Sequence, residues 1–175
     1  MTSTKSLAQQ YQKKTDKQHI LDNPDTYIGS VENVNQDMHI YDSENKSIIL
    51  KSMDVIPGLY KLFDEGIVNC RDHVIRMDQK ILNEGTNQTI NEKNTIINYP
   101  VTHIDIHIND DDSITMINDG NGIDIEKHPE YNIWIPEMIF GHLRTSTNYD
   151  KTEKKIVGGK NGFGFKLVLI WSTSG

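Results

Sequence analysis

Among 175 residues there is one cysteine, five prolines and 7% aromatic side chains. A single cysteine, Cys70, rules out an internal disulfide and suits a reducing compartment. No apolar run reaches the length of a membrane span, and residues 1–10 carry no signal-peptide pattern. Basic charge is also in deficit: the net charge is -7. A surface of that sign grips a phosphate backbone poorly, so a free-standing nucleic-acid-binding module is a poor reading. Hydrophobic residues make up 35% of the chain, enough for one domain with a core. The mean hydropathy of -0.57 leaves a polar surface.

Glycine is concentrated where it matters. Residues 158–166 read GGKNGFGFK, and the apolar run LVLIW follows. Glycines let backbone N–H groups turn toward an anion, a following helix offers its N-terminus, and lysine adds charge. A phosphate cradle and a plain glycine-rich linker both fit the loop taken alone. It is not a Walker A loop: Gly159 and Gly164 have the right spacing, but Phe165 follows Gly164, and Lys166 is followed by Leu167 rather than a hydroxyl residue. The dinucleotide pattern fails too, because Leu167 stands where the third glycine belongs.

Periodicity lays out the rest. Residues 1–20 read as a polar arm ending in a short helix near His19, and Asn23-Pro24-Asp25 as a turn. Residues 27–32 and 38–41 read as short strands, with 47–51 as a further hairpin partner. Residues 55–78 read as a helix, with Leu59, Leu62, Phe63, Ile67, Val74 and Met77 at helical spacing and Pro57 in its first turn. Residues 103–109 and 113–118 alternate apolar and polar residues around an Asn-Asp-Asp-Asp loop, a hairpin pattern. The polar stretch 82–100 reads as a surface insertion. Residues 136–143 and 163–172 read as helices, with a polar loop between.

Three polar clusters sit where these elements do not need them. On the helix, Glu65, Asn69 and Asp72 share one face at i, i+4 and i+7. That is either a solvated face or a carboxylate base beside an amide oxygen aimed at a metal. Asn118-Asp119-Gly120-Asn121-Gly122 ends a strand. It is either an ordinary turn or a close-approach site whose buried carboxylate could accept from an adenine amino group. Thr145-Ser146-Thr147-Asn148 offers hydroxyls and an amide to ribose and phosphate oxygens, or is a plain loop.

Taken in order, E-x-x-x-N, N-D-G-x-G, T-S-T-N and G-G-K-N-G-x-G resemble the GHKL ATPases. Within them the chain resembles the N-terminal ATPase region of eukaryotic-type and large-virus type II DNA topoisomerases. The closer likeness rests on YQKKTDKQHILDNPDTYIGSVE, LFDEGIVNCRDH, IPEMIFGHLRTSTNYD and KKIVGGKNGFGFKLVLIWS. The arm and IPEMIFGHL set it apart from mismatch-repair MutL proteins, heat-shock chaperones and histidine kinases.

The resemblance implies an α+β fold: a two-layer sandwich of a mixed, mostly antiparallel sheet and helices, C-terminally incomplete. It implies a dimerisation arm at 1–26 and a partial ATP-binding domain at 27–175. ATP and Mg²⁺ are the implied cofactors, and Glu65 is the implied general base. Asn69 is the implied Mg²⁺ ligand. The other implied ATP contacts are Asn118, Asp119, Ser146, Thr147, Asn148, Gly159, Lys160, Asn161, Gly162, Phe163, Gly164, Phe165 and Lys166. Further implications are a homodimer through the arm, with Tyr27 and Ile28 at the exchange surface, and DNA handled by domains outside this chain. No membrane is implied, and the location is intracellular: the nucleus, or a host nucleus or viral factory for a viral protein. ATP-driven DNA strand passage by the full enzyme is the expected function. A truncated or degenerate module that binds without turnover is the competing one. The chain departs from the family pattern at His73, where asparagine is usual, at Phe163 in place of tyrosine, and at the large Phe165.

Overall fold

A computed structural model of the chain describes residues 13–91, 94–143, 145 and 163–172. It divides into two compact units, Met1–Gly58 and Leu59–Gly175.

The first unit opens with helix α1, Asp16–Asp22, and the one-turn helix α2, Pro24–Tyr27. Thr15 caps α1 by accepting from the Gln18 N–H. Pro24 stands at the start of α2, where its missing N–H costs nothing. The strand expected over 27–32 does not form. The N–H groups of Ile28 and Gly29 both turn back onto the Pro24 carbonyl, so that backbone is wound rather than extended. Ile28, placed by expectation at an exchange surface, is buried, and Ile20 is buried as well.

The hairpin of this unit is longer than its hydrophobic pattern suggests. Strand β1, Val34–Asp42, pairs antiparallel with β2, Ser47–Val55, from Val34 opposite Val55 to Asp42 opposite Ser47. Its polar positions extend the ladder through cross-strand side-chain bonds: Asn35 donates to Asp54 at 2.8 Å, and Ser52 to Asp37 at 2.5 Å. In the loop, Asp42 accepts from the Glu44 N–H and the Asn45 side chain.

Helix α3, Pro57–Glu84, begins two residues later than expected and runs six residues further. Gln79, Lys80, Leu82 and Glu84 are good helix formers, and the helix stops only at Gly85. Its φ is +80°, and its N–H returns to the Ile81 carbonyl. In the second unit, Cys70, Asp72 and Met77 of this helix are buried. Leu59, expected on the core face, is 59% exposed.

The stretch expected as a surface insertion is itself a hairpin, β3 at Asn87–Asn91 and β4 at Asn94–Ile97. Strands β5, Ile104–Ile108, and β6, Ile114–Asn118, pair as their alternation indicates, with the turn at 109–112. All strand pairing among the described residues is antiparallel. Helix α4, Ile135–Gly141, and helix α5, Gly164–Trp171, complete the described elements, and the α+β expectation holds. Edge-to-face packing of Phe140 on Phe165, with ring centres 6.1 Å apart, joins the last two helices.

Gly120 follows β6 at φ +87°, and a Cβ there would stand 2.8 Å from Val101 and 3.2 Å from two carbonyl oxygens. Gly85 has a similar φ but open space around it. Gly85→Ala should therefore cost only backbone strain, about 1–2 kcal/mol. Gly120→Ala adds a clash and should cost about 2–4 kcal/mol. Urea unfolding of the two variants measures the difference, and equal losses would show that the packing around Gly120 yields freely.

Candidate functional site

The site is built on one face of α3. Glu65 and Asn69 are one turn apart, so their side chains lie side by side. The Asn69 amide nitrogen donates to the Glu65 carbonyl at 2.6 Å. Of the two ends of an amide only the NH₂ can donate to a carbonyl, so this bond fixes the amide's orientation and turns its oxygen away from the Glu65 carbonyl. Asn69 is exposed.

The Glu65 side chain is 18% exposed. One carboxylate oxygen takes an ion pair from Lys61 Nζ at 2.7 Å, again one turn away. The bond to Glu65 is the main cause that holds the Lys61 pKa above its usual value. The other oxygen faces the start of α5. A Cβ on Gly164 would lie 3.0 Å from Glu65 Oε2 and 3.6 Å from Asn69 Nδ2. Gly164, at the end of the glycine-rich stretch, thus meets the carboxylate at a distance that would be tight for any other residue and the amide at ordinary contact. The N-terminus of α5 has no side-chain cap, and its N–H groups carry partial positive charge toward this spot.

Lys166 is not presented at an open face. It is 5% exposed, and its ammonium donates to the Thr145 carbonyl at 2.9 Å and the Thr145 hydroxyl at 2.7 Å. Burial lowers its pKa. Lys166 therefore ties α5 to the start of the T-S-T-N segment. Phe165 packs on Phe140, and Phe163 is the residue before α5. Ser146, Thr147, Asn148, Gly159, Lys160, Asn161 and Gly162 lie outside the described residues.

The N-D-G-x-G segment follows β6. Asn118 donates to the Asp119 carbonyl at 3.0 Å. Asp119 was expected as a buried carboxylate, but it is exposed. Its oxygens accept from the Thr102 N–H at 2.7 Å, the Thr102 hydroxyl at 2.6 Å and the His103 N–H at 2.9 Å. The Thr102 hydroxyl, then the His103 and Thr102 N–H groups, hold its pKa below the ordinary aspartate value. Asp119 therefore ties its loop to the residues entering β5. His73 lies one turn beyond Asn69 on α3, and its Nε2–H donates to the Asn121 carbonyl at 2.6 Å. The chain thus gathers Glu65, Asn69 and Gly164 at one point, and His73 links the helix to the N-D-G-x-G loop.

DNA topoisomerase 2 of Saccharomyces cerevisiae is 44% identical over 173 residues, covering 98% of this chain and 11% of its own length. DNA topoisomerase 2 of Acanthamoeba polyphaga mimivirus is 45% identical over 172 residues, covering 96% of this chain and 12% of its own length. The crystal structure of the ATPase region of Saccharomyces cerevisiae topoisomerase II matches with a TM-score of 0.76 at 44% identity. That match covers 95% of this chain and 39% of the other. The chain belongs to the type II DNA topoisomerase family. No family model matches it.

This topoisomerase-family chain has the fold of the ATPase region and spans about a tenth of the length of the curated relatives it matches, 11% in the yeast case. Among its described residues no helix is long and apolar enough to cross a membrane. Lys61 and Thr102 are not singled out by the sequence, and Thr145 and Asn121 stand in their clusters there without their partners. Lys61 was legible in principle, since it stands four residues before Glu65. Thr102, Thr145 and Asn121 act through turns and buried ends whose partners no local spacing reveals.

Asp119 supplies a test of its loop. A carboxyl with a depressed folded-state pKa stabilises the fold above its unfolded pKa, and that contribution fades as pH falls through the folded value. Thr102→Val removes the hydroxyl donor and should raise the Asp119 pKa toward the ordinary value, read by carboxyl NMR titration. An unchanged titration would mean that the backbone donors alone hold the group.

Proposed function

We propose that this chain binds ATP with Mg²⁺ and hydrolyses it at the point where Glu65, Asn69 and Gly164 meet. The observation that carries the reading is the approach of Gly164 to Glu65 Oε2 and Asn69. A backbone that close to a carboxylate and an amide makes a narrow polar niche at a helix N-terminus, the setting that favours phosphate.

The residues suit a hard cation. The Asn69 amide oxygen is turned outward, and oxygen donors are what Mg²⁺ takes. Among the described residues no three His, Cys, Asp or Glu side chains converge. A cation here would draw its remaining ligands from phosphate oxygens and water, as Mg²⁺ usually does. When bound, Mg²⁺ supplies neutralisation of the phosphate charge.

Glu65 is the proposed general base. Lys61 occupies one oxygen and leaves Oε2 toward the niche. Oε2 accepts a proton from a water as its oxygen bonds to the γ-phosphorus. The bond from that phosphorus to the β–γ bridging oxygen breaks, and ADP leaves. N–H groups at the start of α5 and in the loop before it hold the phosphates, and Asn118 and Asp119 stand at the nucleotide base. Ser146, Thr147 and Asn148 contact ribose and phosphate, and Gly159, Lys160, Asn161 and Gly162 complete the lid. Phe163 and Phe165 take part through backbone N–H groups, since the Phe165 ring is engaged by Phe140. Lys166 supports the site from below through Thr145.

The wider assignment is ATP-driven DNA strand passage in a dimer, with the arm at 1–26 reaching a second copy and other domains holding DNA. The net charge of -7 agrees with DNA contacts lying elsewhere. A nucleus or viral factory is the corresponding location.

Glu65→Gln tests the reading. It removes the base but keeps shape and hydrogen-bonding capacity, so turnover should fall by roughly 10²–10⁴-fold while ATP affinity changes little. A coupled phosphate-release assay and calorimetric titration of ATP measure the two quantities. A wild-type chain that binds ATP without measurable turnover would favour a binding module.

A further inference from the structure

The polar hairpin β3–β4 is not absorbed by the function above. Its two feet are pinned. The Asn98 side chain is fully buried and donates to the Gly85 carbonyl at 3.0 Å, while the Asn98 N–H donates to the Thr86 carbonyl at 2.7 Å. The residues flanking Asn98 are held by Asn121. The Asn121 side-chain oxygen accepts from the Tyr99 N–H at 2.5 Å, and its side-chain nitrogen donates to the Ile97 carbonyl at 2.9 Å. An amide side chain carries a carbonyl oxygen and an NH₂ group in one plane, so it pairs with the returning strand much as a peptide group would. The Asn121 main-chain carbonyl meanwhile accepts from His73 on α3. One residue thus joins the exit of the hairpin, the N-D-G-x-G loop and the helix that carries Glu65 and Asn69.

We propose that Asn121 is a positioning residue that sets the nucleotide-base-facing loop, and that through it the β3–β4 hairpin sets nucleotide affinity. The inference rests on the ATP reading of the site. Asn121 touches no reacting group in this account. It holds Asp119 and Gly120 in register by fixing the next residue on two sides. Gly120 packs closely against the same stretch, since a Cβ on it would meet Val101 and the carbonyls of Pro100 and Tyr99. A shift of the hairpin exit at Ile97 or Tyr99 would be passed to the loop rather than absorbed by it. His73 supports the same residue from the helix side. The histidine found where asparagine is usual in the family therefore has a defined partner here.

The test compares two ligands in the presence of Mg²⁺: ATP, which has a base, and inorganic tripolyphosphate, which has none. Calorimetry on wild type, Asn121→Ala and His73→Ala gives the affinities. Loss of one or two hydrogen bonds that hold the loop should weaken ATP roughly three- to tenfold in each variant. Tripolyphosphate affinity should stay within about twofold, because the niche at Glu65, Asn69 and Gly164 is untouched. Equal weakening of both ligands would mark a general structural defect and overturn the proposal, as would no change in ATP affinity. If Asn121→Ala does not fold, His73→Ala decides by the same comparison, since it leaves the Asn121 side-chain bonds in place. Wild type that binds tripolyphosphate as tightly as ATP would overturn the inference while sparing the phosphate site. Wild type that binds neither would overturn the ATP reading and the inference with it.

Discussion

The approach of the Gly164 backbone to Glu65 and Asn69 is the constraint on which the site depends. It brings the end of the glycine loop onto the one helix face that carries both an acid and an amide. A Cβ at position 164 would press on the Glu65 carboxylate, 3.0 Å away, and stand in ordinary contact with Asn69 at 3.6 Å. The surrounding contacts serve that approach. Lys61 holds one oxygen of Glu65, and the Glu65 carbonyl holds the nitrogen of Asn69. Phe140 and Phe165 pack α4 against α5, and Lys166 anchors α5 to Thr145. For Glu65 the split is direct: Lys61 takes one carboxylate oxygen and the other, Oε2, faces Gly164.

A second set of bonds secures the N-D-G-x-G loop. Asp119 is fastened to Thr102 and His103, Asn121 to Ile97 and Tyr99, and His73 to the Asn121 carbonyl. In this loop polar side chains do the work that apolar packing does elsewhere. Each unmade bond there would leave a backbone group without its partner, which is how a short loop keeps one conformation.

Much of this was legible from spacing alone. The i, i+4 relation of Glu65 and Asn69 needs only helical geometry, and the β5–β6 alternation gave both strands and their turn. The order of four motifs identified the family. Other features were hidden for physical reasons. β1 and β2 extend through polar residues because their side chains pair across the strands, which no single-strand pattern reveals. Residues 27–32 look like a strand by composition, yet Pro24 winds the following backbone onto its own carbonyl. Asp119 reads as a buried acid in a motif, but its exposure and its partners are set by residues 16 and 17 positions away. Lys166 reads as a phosphate-binding charge, and only the fold shows that Thr145 receives it.

A cation held at the Asn69 amide oxygen beside Glu65 is the centre of the proposed chemistry. Paramagnetic Mn²⁺ in place of Mg²⁺ tests this directly. In the presence of a non-hydrolysable ATP analogue, Mn²⁺ should broaden the Asn69 side-chain amide signals beyond detection, and should do so only when nucleotide is also present. Persistence of those signals while groups elsewhere are broadened would place the cation away from Asn69 and contradict the account.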